Sequence, residues 1–252
     1  MLKKNHSNEH SYSENREIDL NKELLNLHKK NLDDYGDNWN YHSLVTLKRQ
    51  TISRILYWDY LYRKIINVPG VICEFGVQWG TTLSTLISLR GIYEPYNYTR
   101  EIFGFDTFEG FKNIDTSIDG KESELGDYKV SKNYEDQLNQ ILTIQDKFSP
   151  LPHIKKFSLI NGDASETVIE WKKNNPNLII SMLILDMDLY SPTKIVLEEL
   201  KQMLSKGSVV VLDNFTCKSF KGEAKAVNEV FGFKNLELKR DKNMPSCAWF
   251  KY

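Results

Sequence analysis

The chain has 252 residues, which is enough for one large α/β domain with a short appendage but too few for two full domains. Its 33 basic residues are balanced by 34 acidic ones, so no basic surface of the kind that binds nucleic acid is expected. The 40% apolar fraction supports a sizeable core, and the 12% aromatic fraction argues against general disorder. No stretch reaches the roughly 18 apolar residues of a membrane span, so we expect no membrane partner.

The three cysteines, Cys73, Cys217 and Cys247, are odd in number and widely spaced. This pattern predicts reduced structural thiols rather than a disulfide framework or a zinc site. The polar N-terminus lacks the apolar segment of a signal peptide. Together these features predict a cytoplasmic protein.

In chain order, residues 1–20 are polar and predict a flexible tail. Residues 21–66 predict a helical cap of two helices, because apolar side chains recur there at three- and four-residue spacing. The first series is Leu24, Leu25, Leu27 and Leu32, and the second is Leu44, Leu47, Ile52, Ile55, Leu56 and Leu61. The turn 67–70 contains Pro69, which removes a backbone donor and ends the helix. Residues 67–252 are predicted to form a single domain.

After this turn, short apolar runs alternate with longer amphipathic stretches. The predicted strands are 71–75, 102–105, 155–160, 178–185 and 208–212, and the helices between them are 81–91, 134–148, 165–173, 193–204 and 221–231. Runs that are apolar at nearly every position are typical of strands covered on both faces. The alternation therefore predicts an α/β fold with a doubly wound, mostly parallel sheet. The runs 235–240 and 247–252 predict a C-terminal antiparallel hairpin.

The first candidate site is the end of the first predicted strand, where Glu74 is followed by Gly76 and Gly80. Ligands of open α/β sheets bind at the carboxyl ends of the strands, and glycines let the backbone pass close to a ligand. The G-x-x-x-G spacing differs from the G-x-G-x-x-G of a dinucleotide site. An acid before the turn suits a ligand with an ammonium group or a ribose. The alternative is a tight strand–helix turn without a ligand.

Two further acids follow the second and third predicted strands. Asp106 can accept hydrogen bonds from both hydroxyls of a ribose, and Phe108 and Phe111 can stack on a purine or serve only as core. Asp163 can accept a hydrogen bond from an exocyclic amine, or it can be the N-cap of the next helix. The two roles of Asp163 do not exclude each other.

The fourth candidate site joins Asp186 and Asp188, after one buried run, with Asp213 and Asn214, after the next. Uncompensated charges at the ends of buried strands are costly. Carboxylate and amide oxygens are ligands suited to Mg²⁺, or to Mn²⁺ in its place. The alternative is that these acids cap helices or pair with lysines.

At these landmarks the sequence resembles the class I methyltransferases and, more narrowly, the macrocin O-methyltransferase family. The resemblance lies in 67–77, 106–111 and 186–193, of which DTFEGF and the segment from Asp186 to Thr193 are the specific parts. It implies a Rossmann-like sheet of seven strands with a reversed last strand, S-adenosyl-L-methionine as cofactor, and a divalent metal. The sequence departs from the family at Asn214, where Asp is common, and at Trp79, where Arg is usual.

Carried over by position, the resemblance implies that Glu74, Gly76, Gly80 and Thr81 cradle the amino-acid end of the cofactor, Asp106 its ribose and Asp163 its adenine. The full cofactor-binding set is Glu74, Gly76, Val77, Gly80, Thr81, Asp106, Thr107, Phe108, Asp163, Ala164 and Asp186. The implied metal ligands are Asp186, Asp213 and Asn214.

The expected reaction is in-line methyl transfer to an oxygen, with Asp186 and Asp188 as the catalytic residues. The metal lowers the pKa of the accepting oxygen, and Asp188 acts as the general base or orients a neighbouring ligand. Residues 20–66 and the insertion 112–133 are candidates for a lid over the acceptor.

The expected acceptor is a small-molecule or sugar-linked hydroxyl in a glycan or natural-product precursor, and we expect a homo-oligomer. The alternative acceptor is a phosphate-type oxygen on a capsule or polysaccharide building block. Two other classes are a non-catalytic cofactor-binding scaffold, which has no need of Asp186, Asp213 and Asn214, and a nucleotide-sugar or NAD-dependent oxidoreductase, which the missing G-x-G-x-x-G disfavours.

Overall fold

The computed structural model describes residues 3–4, 10–11, 15–215 and 220–252, with side chains from residue 15 onward. The strands are β1 (Lys3–Lys4), β2 (His10–Ser11), β3 (Val71–Phe75), β4 (Ile102–Asp106), β5 (Phe157–Asn161), β6 (Ile180–Leu185), β7 (Leu204–Leu212), β8 (Lys239–Asp241) and β9 (Met244–Lys251). The α-helices are α1 (Asn15–Asn31), α2 (Trp39–His42), α3 (Arg49–Ile65), α4 (Thr81–Tyr93), α5 (Tyr134–Lys147), α6 (Ala164–Asn174), α7 (Tyr190–Leu200) and α8 (Gly222–Phe231). Cys217 lies outside the described residues, and Cys73 and Cys247 are free, buried thiols.

The main sheet has seven strands in the order β5-β4-β3-β6-β7-β9-β8. Strands β3 to β7 are parallel to one another, whereas β9 is antiparallel to both β7 and β8. The chain runs outward from β3 in one direction and from β6 in the other, so the order reverses between these two strands. This confirms the doubly wound, mostly parallel sheet, and it places the switch point, where such folds bind ligands, between β3 and β6.

Helices cover both faces of the sheet, which is why its strands are almost wholly apolar. One core packs α3, α4 and α5 against side chains such as Ile72, Met182 and Val211. The other packs α6, α7 and α8 against side chains such as Cys73 and Leu183. Ile72 and Cys73 are neighbours in β3 and point to opposite faces, as the two-residue period of a strand requires.

The N-terminal extension differs from its prediction in the helix bounds and in the buried face. The second helix was expected from Leu44, but the chain is extended at Leu47, and α3 begins at Arg49. The buried face of α3 consists of Tyr57, Trp58, Leu61, Tyr62 and Ile65. The apolar residues Ile52, Ile55 and Leu56, expected to face the core, are exposed, because the core lies on the aromatic side of the helix.

Helix α1 begins at Asn15, inside the segment 1–20 that was expected to be a flexible tail. The remaining domain bounds, a cap over 21–66 and one domain over 67–252, stay predictions. None of the helices formed by the described residues is both long and apolar enough to cross a lipid bilayer.

A C-terminal antiparallel hairpin forms as predicted, although its first strand spans Lys239–Asp241 rather than 235–240, and its second begins at Met244 rather than at Cys247. Strand β9 inserts between β7 and β8, with Val211 opposite Trp249. The reversed strand thereby covers the edge of β7 and leaves the short β8 at this border of the sheet.

The insertion 112–133 consists of turns rather than helix or strand. Its Asp119 is buried, and Asp119 Oδ1 accepts a hydrogen bond of 2.6 Å from the backbone N–H of Tyr190. This contact fixes the insertion against the first turn of α7, next to the carboxyl end of β6.

Candidate active site

Two of the acidic residues predicted to form the site, Asp186 and Asp213, lie directly after the last paired residues of the neighbouring strands β6 and β7. The N–H of Asp186 donates to Phe75 O at 2.9 Å, and the N–H of Asp213 donates to Leu185 O at 3.1 Å. Each bond continues the parallel ladder one step beyond the strand end. The backbone positions of these acids are therefore set by the sheet itself.

A cavity of about 500 Å³ opens over these strand ends, a volume within the range of small-molecule sites. The predicted site residues that line it are Glu74, Gly76, Val77, Thr81, Asp106, Thr107, Asp163, Ala164, Asp186, Asp188, Asp213 and Asn214. Gly80 and Phe108 are not among its lining residues. The cavity thus brings the cofactor, catalytic and metal sets of the prediction together.

Glu74 is the second-last residue of β3 and lies at the wall of the cavity, with 1% of the residue exposed. Its Oε2 atom is buried and has no hydrogen-bond partner among the residues that the structure describes. Burial raises the pKa of this carboxyl well above its usual value, although Arg54 opposes the effect. A buried carboxylate oxygen without a partner is costly unless a ligand supplies a donor.

Asp106 is held by the backbone of two turns. The N–H of Gln78 donates to Oδ2 at 2.7 Å, and the N–H of Phe108 donates to Oδ1 at 2.6 Å. Burial raises the pKa of Asp106, and these hydrogen bonds oppose the rise. The carboxylate therefore ties the turn after β3 to the turn after β4, at the wall of the cavity.

The two glycines of the first turn have structural roles. Gly76 has φ of 96°, and a Cβ there would overlap the carbonyl oxygen of Asp186. A Cβ at Gly80, the residue before α4, would overlap the side chain of Leu138 on α5. Gly76 therefore permits close contact between the ends of β3 and β6, whereas Gly80 permits close packing of two helices.

Asp163 is the N-cap of α6: its Oδ1 accepts from the N–H of Ser165 at 2.9 Å. Its Oδ2 accepts from Nδ2 of Asn113 at 3.3 Å. The capping role is observed, and the side chain also lines the cavity. Phe108 packs in the core that contains α3, α4 and α5, whereas Phe111 lines the cavity.

Asp186 and Asp213 face the same guanidinium nitrogen of Arg54, which comes from α3. The Nη2 atom lies 4.0 Å from Asp186 Oδ2 and 3.4 Å from Asp213 Oδ1. The Asp213 Oδ1 atom also accepts from Cys247 Sγ at 3.3 Å. Burial, followed by repulsion from Asp213, raises the pKa of Asp186 well above its usual value. Burial lowers the pKa of Arg54, but the two facing carboxylates outweigh it and leave that pKa raised.

Among the residues that the structure describes, no group of three or more His, Cys, Asp or Glu side chains is arranged to hold a metal ion. The metal set Asp186, Asp213 and Asn214 contains only two carboxylates, with an amide as its third member. It stays a prediction.

Asp188 lies two residues beyond Asp186 and is buried at the cavity wall. Its φ of 60° is unusual for a residue other than glycine, and such backbone strain clusters at functional sites. Its Oδ1 accepts from Nδ2 of Asn214 at 3.0 Å. Burial raises the pKa of Asp188 to about 7, against the hydrogen bond from Asn214, which lowers it. A carboxyl group with this pKa is suited to exchange protons near neutrality.

Sequence reasoning missed Arg54 and did not assign the aromatic walls of the cavity formed by Trp79 and Tyr128. Arg54 precedes Tyr57, Trp58 and Leu61 by three, four and seven positions, so it lies on the buried face of α3. The position of an arginine in line with this aromatic face was the feature of the sequence that could have identified Arg54 as a site residue. Tyr128 lies in the insertion and contacts Phe111, with ring centroids 5.1 Å apart.

Comparison with known proteins gives a family match. The profile of the macrocin O-methyltransferase family matches residues 54–242. A relative, demethyldecarbamoylnovobiocin O-methyltransferase from Streptomyces niveus, is 25% identical over 187 residues, which cover 71% of this chain and 65% of the relative. The match thus spans just under two thirds of that enzyme.

Solved structures extend the likeness to nearly the whole chain. The calicheamicin methyltransferase CalS11 is 33% identical with a TM-score of 0.89, and the match covers 96% of this chain and 95% of that one. A second, apo structure of CalS11, described as a TDP-rhamnose 3'-O-methyltransferase, gives 31% identity, a TM-score of 0.84 and 96% coverage of both chains. The O-methyltransferase NovP, at 18% identity, a TM-score of 0.59 and 79% coverage of both chains, shares the fold.

Proposed function

We propose that this chain, which belongs to the macrocin O-methyltransferase family, transfers the methyl group of S-adenosyl-L-methionine to a hydroxyl of a sugar-containing acceptor. The observation that carries the proposal is the buried, unpartnered Oε2 of Glu74 at the wall of a cavity that Asp106 and Asp163 also line. A cofactor with an ammonium group, a ribose and an exocyclic amine offers hydrogen-bond donors to all three acids.

In this proposal the cofactor lies across the ends of β3, β4 and β5. Glu74 binds its ammonium group, Asp106 its ribose hydroxyls and Asp163 its adenine amine. Because Asp106 and Asp163 are held by backbone N–H groups, they need little reorganisation when the cofactor binds. Such preorganisation keeps the methyl donor aligned for in-line transfer.

We propose Asp188 as the base that receives the proton of the acceptor hydroxyl. The methyl group passes to the oxygen, the electron pair of the broken C–S bond stays on sulfur, and the proton goes to a carboxylate oxygen of Asp188. Asn214 orients this carboxylate through its hydrogen bond to Oδ1. The burial and the strained backbone of Asp188 support a catalytic role more than a scaffold role.

We further propose that Asp186, Asp213 and Asn214 hold a divalent cation, Mg²⁺ or Mn²⁺. The fit rests on convergence: Asp186 Oδ2 and Asp213 Oδ1 face one point, the Nη2 atom of Arg54, and both are oxygen ligands of the kind that hard cations prefer. A bound cation would supply Lewis acidity to the acceptor hydroxyl.

The sugar-containing acceptor is proposed from the relatives and from the cavity. The related enzymes are described as acting in calicheamicin biosynthesis, on TDP-rhamnose, and on a novobiocin precursor. In this chain, Trp79, Phe111 and Tyr128 line the cavity together with its acids. Aromatic faces with a few polar groups suit the alternating apolar and hydroxyl surfaces of a sugar.

The test uses S-adenosylmethionine labelled in its methyl group and a panel of nucleotide sugars that includes TDP-rhamnose. We expect the label in a methyl ether on the sugar, whose methyl carbon shows no coupling to phosphorus in NMR, whereas the methyl carbon of a phosphate ester would show that coupling. Calorimetry should show binding of S-adenosylhomocysteine and none of NAD. The absence of S-adenosylhomocysteine binding would contradict the proposal.

A further inference from the structure

Among the described residues, Arg54 is the cationic side chain that pairs with Asp186 and Asp213, the acid pair proposed to hold a metal. It projects from the buried face of α3, which also carries Tyr57 and Trp58. Its Nη2 atom approaches Asp213 Oδ1 at 3.4 Å and Asp186 Oδ2 at 4.0 Å. The guanidinium thus contacts one oxygen of each carboxylate that the proposed cation would use.

The ion pairs of Arg54 leave part of its own hydrogen-bonding capacity unused and part of the surrounding acidic charge uncompensated. Its Nε atom is buried, and none of the described residues forms a hydrogen bond with it. The single positive charge faces two carboxylates, and Asp188 and Glu223 add further acidic groups to the neighbourhood of Asp186. A guanidinium therefore compensates the acid pair only in part, which leaves an attraction for a more highly charged ion.

We infer that Arg54 competes with a divalent cation for Asp186 and Asp213, so that the cation binds this pair only when the guanidinium leaves it. This inference rests on the proposed cation site but not on methyl transfer. Two cations a few ångströms apart repel each other, and more strongly in a protein site than in bulk water. The two carboxylate oxygens therefore have one cation partner at a time.

Arg54 is the most exposed of the three ion-paired side chains, so it can move away from the carboxylates. Its side chain is 39% exposed, compared with 26% for Asp186 and 12% for Asp213. The carboxylates are fixed at the ends of their strands, whereas the arginine has a long, flexible stem that can turn towards solvent. The partner that moves is therefore the arginine, and the affinity of the site for metal depends on a residue of the N-terminal extension.

Binding of Mn²⁺, followed through the electron paramagnetic resonance signal of the free ion, tests this inference without cofactor or acceptor. We expect Arg54→Gln to bind Mn²⁺ about tenfold more tightly than the wild type, since it removes the competing charge. Arg63→Gln is the matched control, because Arg63 is on the same helix and pairs with Asp59 at 2.7 Å. Its dissociation constant should equal that of the wild type.

The variants separate the possible failures. If Asp213→Asn in the Arg54→Gln background abolishes the tight binding, Mn²⁺ is located at the acid pair. Equal affinities in Arg54→Gln and the wild type would overturn the competition and leave the cation site intact. A folded Arg54→Gln protein that binds no Mn²⁺ would overturn both.

The wild-type protein provides a second measurement that does not depend on the folding of a variant. Phenylglyoxal modifies accessible arginines, and mass spectrometry locates the modified positions. Mn²⁺ should increase the modification of Arg54 at least about threefold and leave that of Arg63 unchanged, because the metal releases only the first guanidinium. Unchanged modification of Arg54 at saturating Mn²⁺ would overturn the inference.

Discussion

On the side of β4 and β5, the acids of the cavity accept hydrogen bonds from backbone amides, as Asp106 does from Gln78 and Phe108. On the side of β6 and β7, Asp186 and Asp213 face the side chain of one arginine. The first arrangement is fixed once the turns have folded. The second depends on side chains that can move or be replaced by an ion, so the proposed catalytic half is adjustable where the proposed cofactor half is rigid.

The Asp213→Ala variant is the strongest test of the difference between the proposed catalytic half and the proposed cofactor half. Because Asp213 belongs to the proposed catalytic half, we expect turnover to fall at least about a thousandfold. Binding of S-adenosylhomocysteine should change less than about threefold, because the cofactor half is held separately by its backbone. Steady-state methyl transfer and calorimetry measure the two effects.

Asp136→Ala, on the exposed side of the first turn of α5, is the control and should leave both quantities unchanged. Retention of a tenth or more of the activity in Asp213→Ala would refute its assignment to the catalytic half.

EDTA should abolish activity and Mg²⁺ should restore it. Full activity in EDTA would remove the metal from the proposal.

Gly76 lies where the two halves meet, since a Cβ there would overlap the carbonyl oxygen of Asp186. We expect Gly76→Ala to lower the free energy of unfolding by more than about 3 kcal/mol, from overlap with backbone added to an unfavourable φ. Cofactor binding and turnover should fall together. Urea unfolding and calorimetry measure these changes.

The Gly207→Ala variant separates the two causes of this destabilisation, which are the overlap with backbone and the unfavourable φ. Gly207 has φ of 102°, close to the 96° of Gly76, but a Cβ there would meet only Val68 Cγ2 at an ordinary 3.4 Å. Its cost should be the backbone strain alone, about 1–2 kcal/mol. Equal costs at both glycines would show that the contact with Asp186 has no effect of its own.

The same contrast explains what the sequence could predict. The strand ends were predictable because each acid directly follows an apolar run, and parallel strands bring their carboxyl ends to one edge. The N-cap role of Asp163 was predictable because it depends on a residue two positions away. Arg54 was not found, since its partner Asp213 lies 159 positions along the chain. Only the folded sheet brings the two together.

The N-terminal extension shows the same limit. Helical spacing predicted two helices there, but Ile52, Ile55 and Leu56 are exposed while Tyr57 and Trp58 are buried. Several faces of α3 carry large apolar residues, so periodicity alone did not identify the one that packs on the sheet. The face of α3 that packs on the sheet also determines the direction of the Arg54 side chain.

Glu74 is the exception within the cofactor half, because its Oε2 has no partner. A carboxyl whose folded pKa is raised contributes stability below its unfolded pKa, and this contribution is lost as the pH rises through the folded pKa. The Glu74→Gln variant has no ionisable group at this position, so it does not lose this contribution. The stability of the variant relative to the wild type should therefore increase from pH 5 to pH 8. Binding of S-adenosylhomocysteine should weaken about tenfold, because the ammonium group loses its charged partner.

Glu223→Gln is the matched control for this variant. Glu223 is 1% exposed like Glu74, also has an unpartnered Oε2, and has a pKa that burial raises, but it does not line the cavity. Its stability should follow the same pH trend, while its cofactor affinity stays unchanged. Equal losses of affinity in both variants would show that Glu74 acts through general electrostatics rather than by contact with the cofactor.

The smallest expected effect separates the two roles of Asp163, which caps α6 and lines the cavity. Asp163→Ala should lower the free energy of unfolding by about 1 kcal/mol through loss of the cap. It should also weaken S-adenosylhomocysteine binding several-fold. Asp163→Ser restores a good N-cap but has a side chain too short to reach an adenine amine. Stability should therefore recover in urea unfolding while calorimetry still shows weak binding. Recovery of both in Asp163→Ser would mean that the cap alone, by holding the turn after β5 in place, accounts for the contribution of Asp163 to cofactor binding.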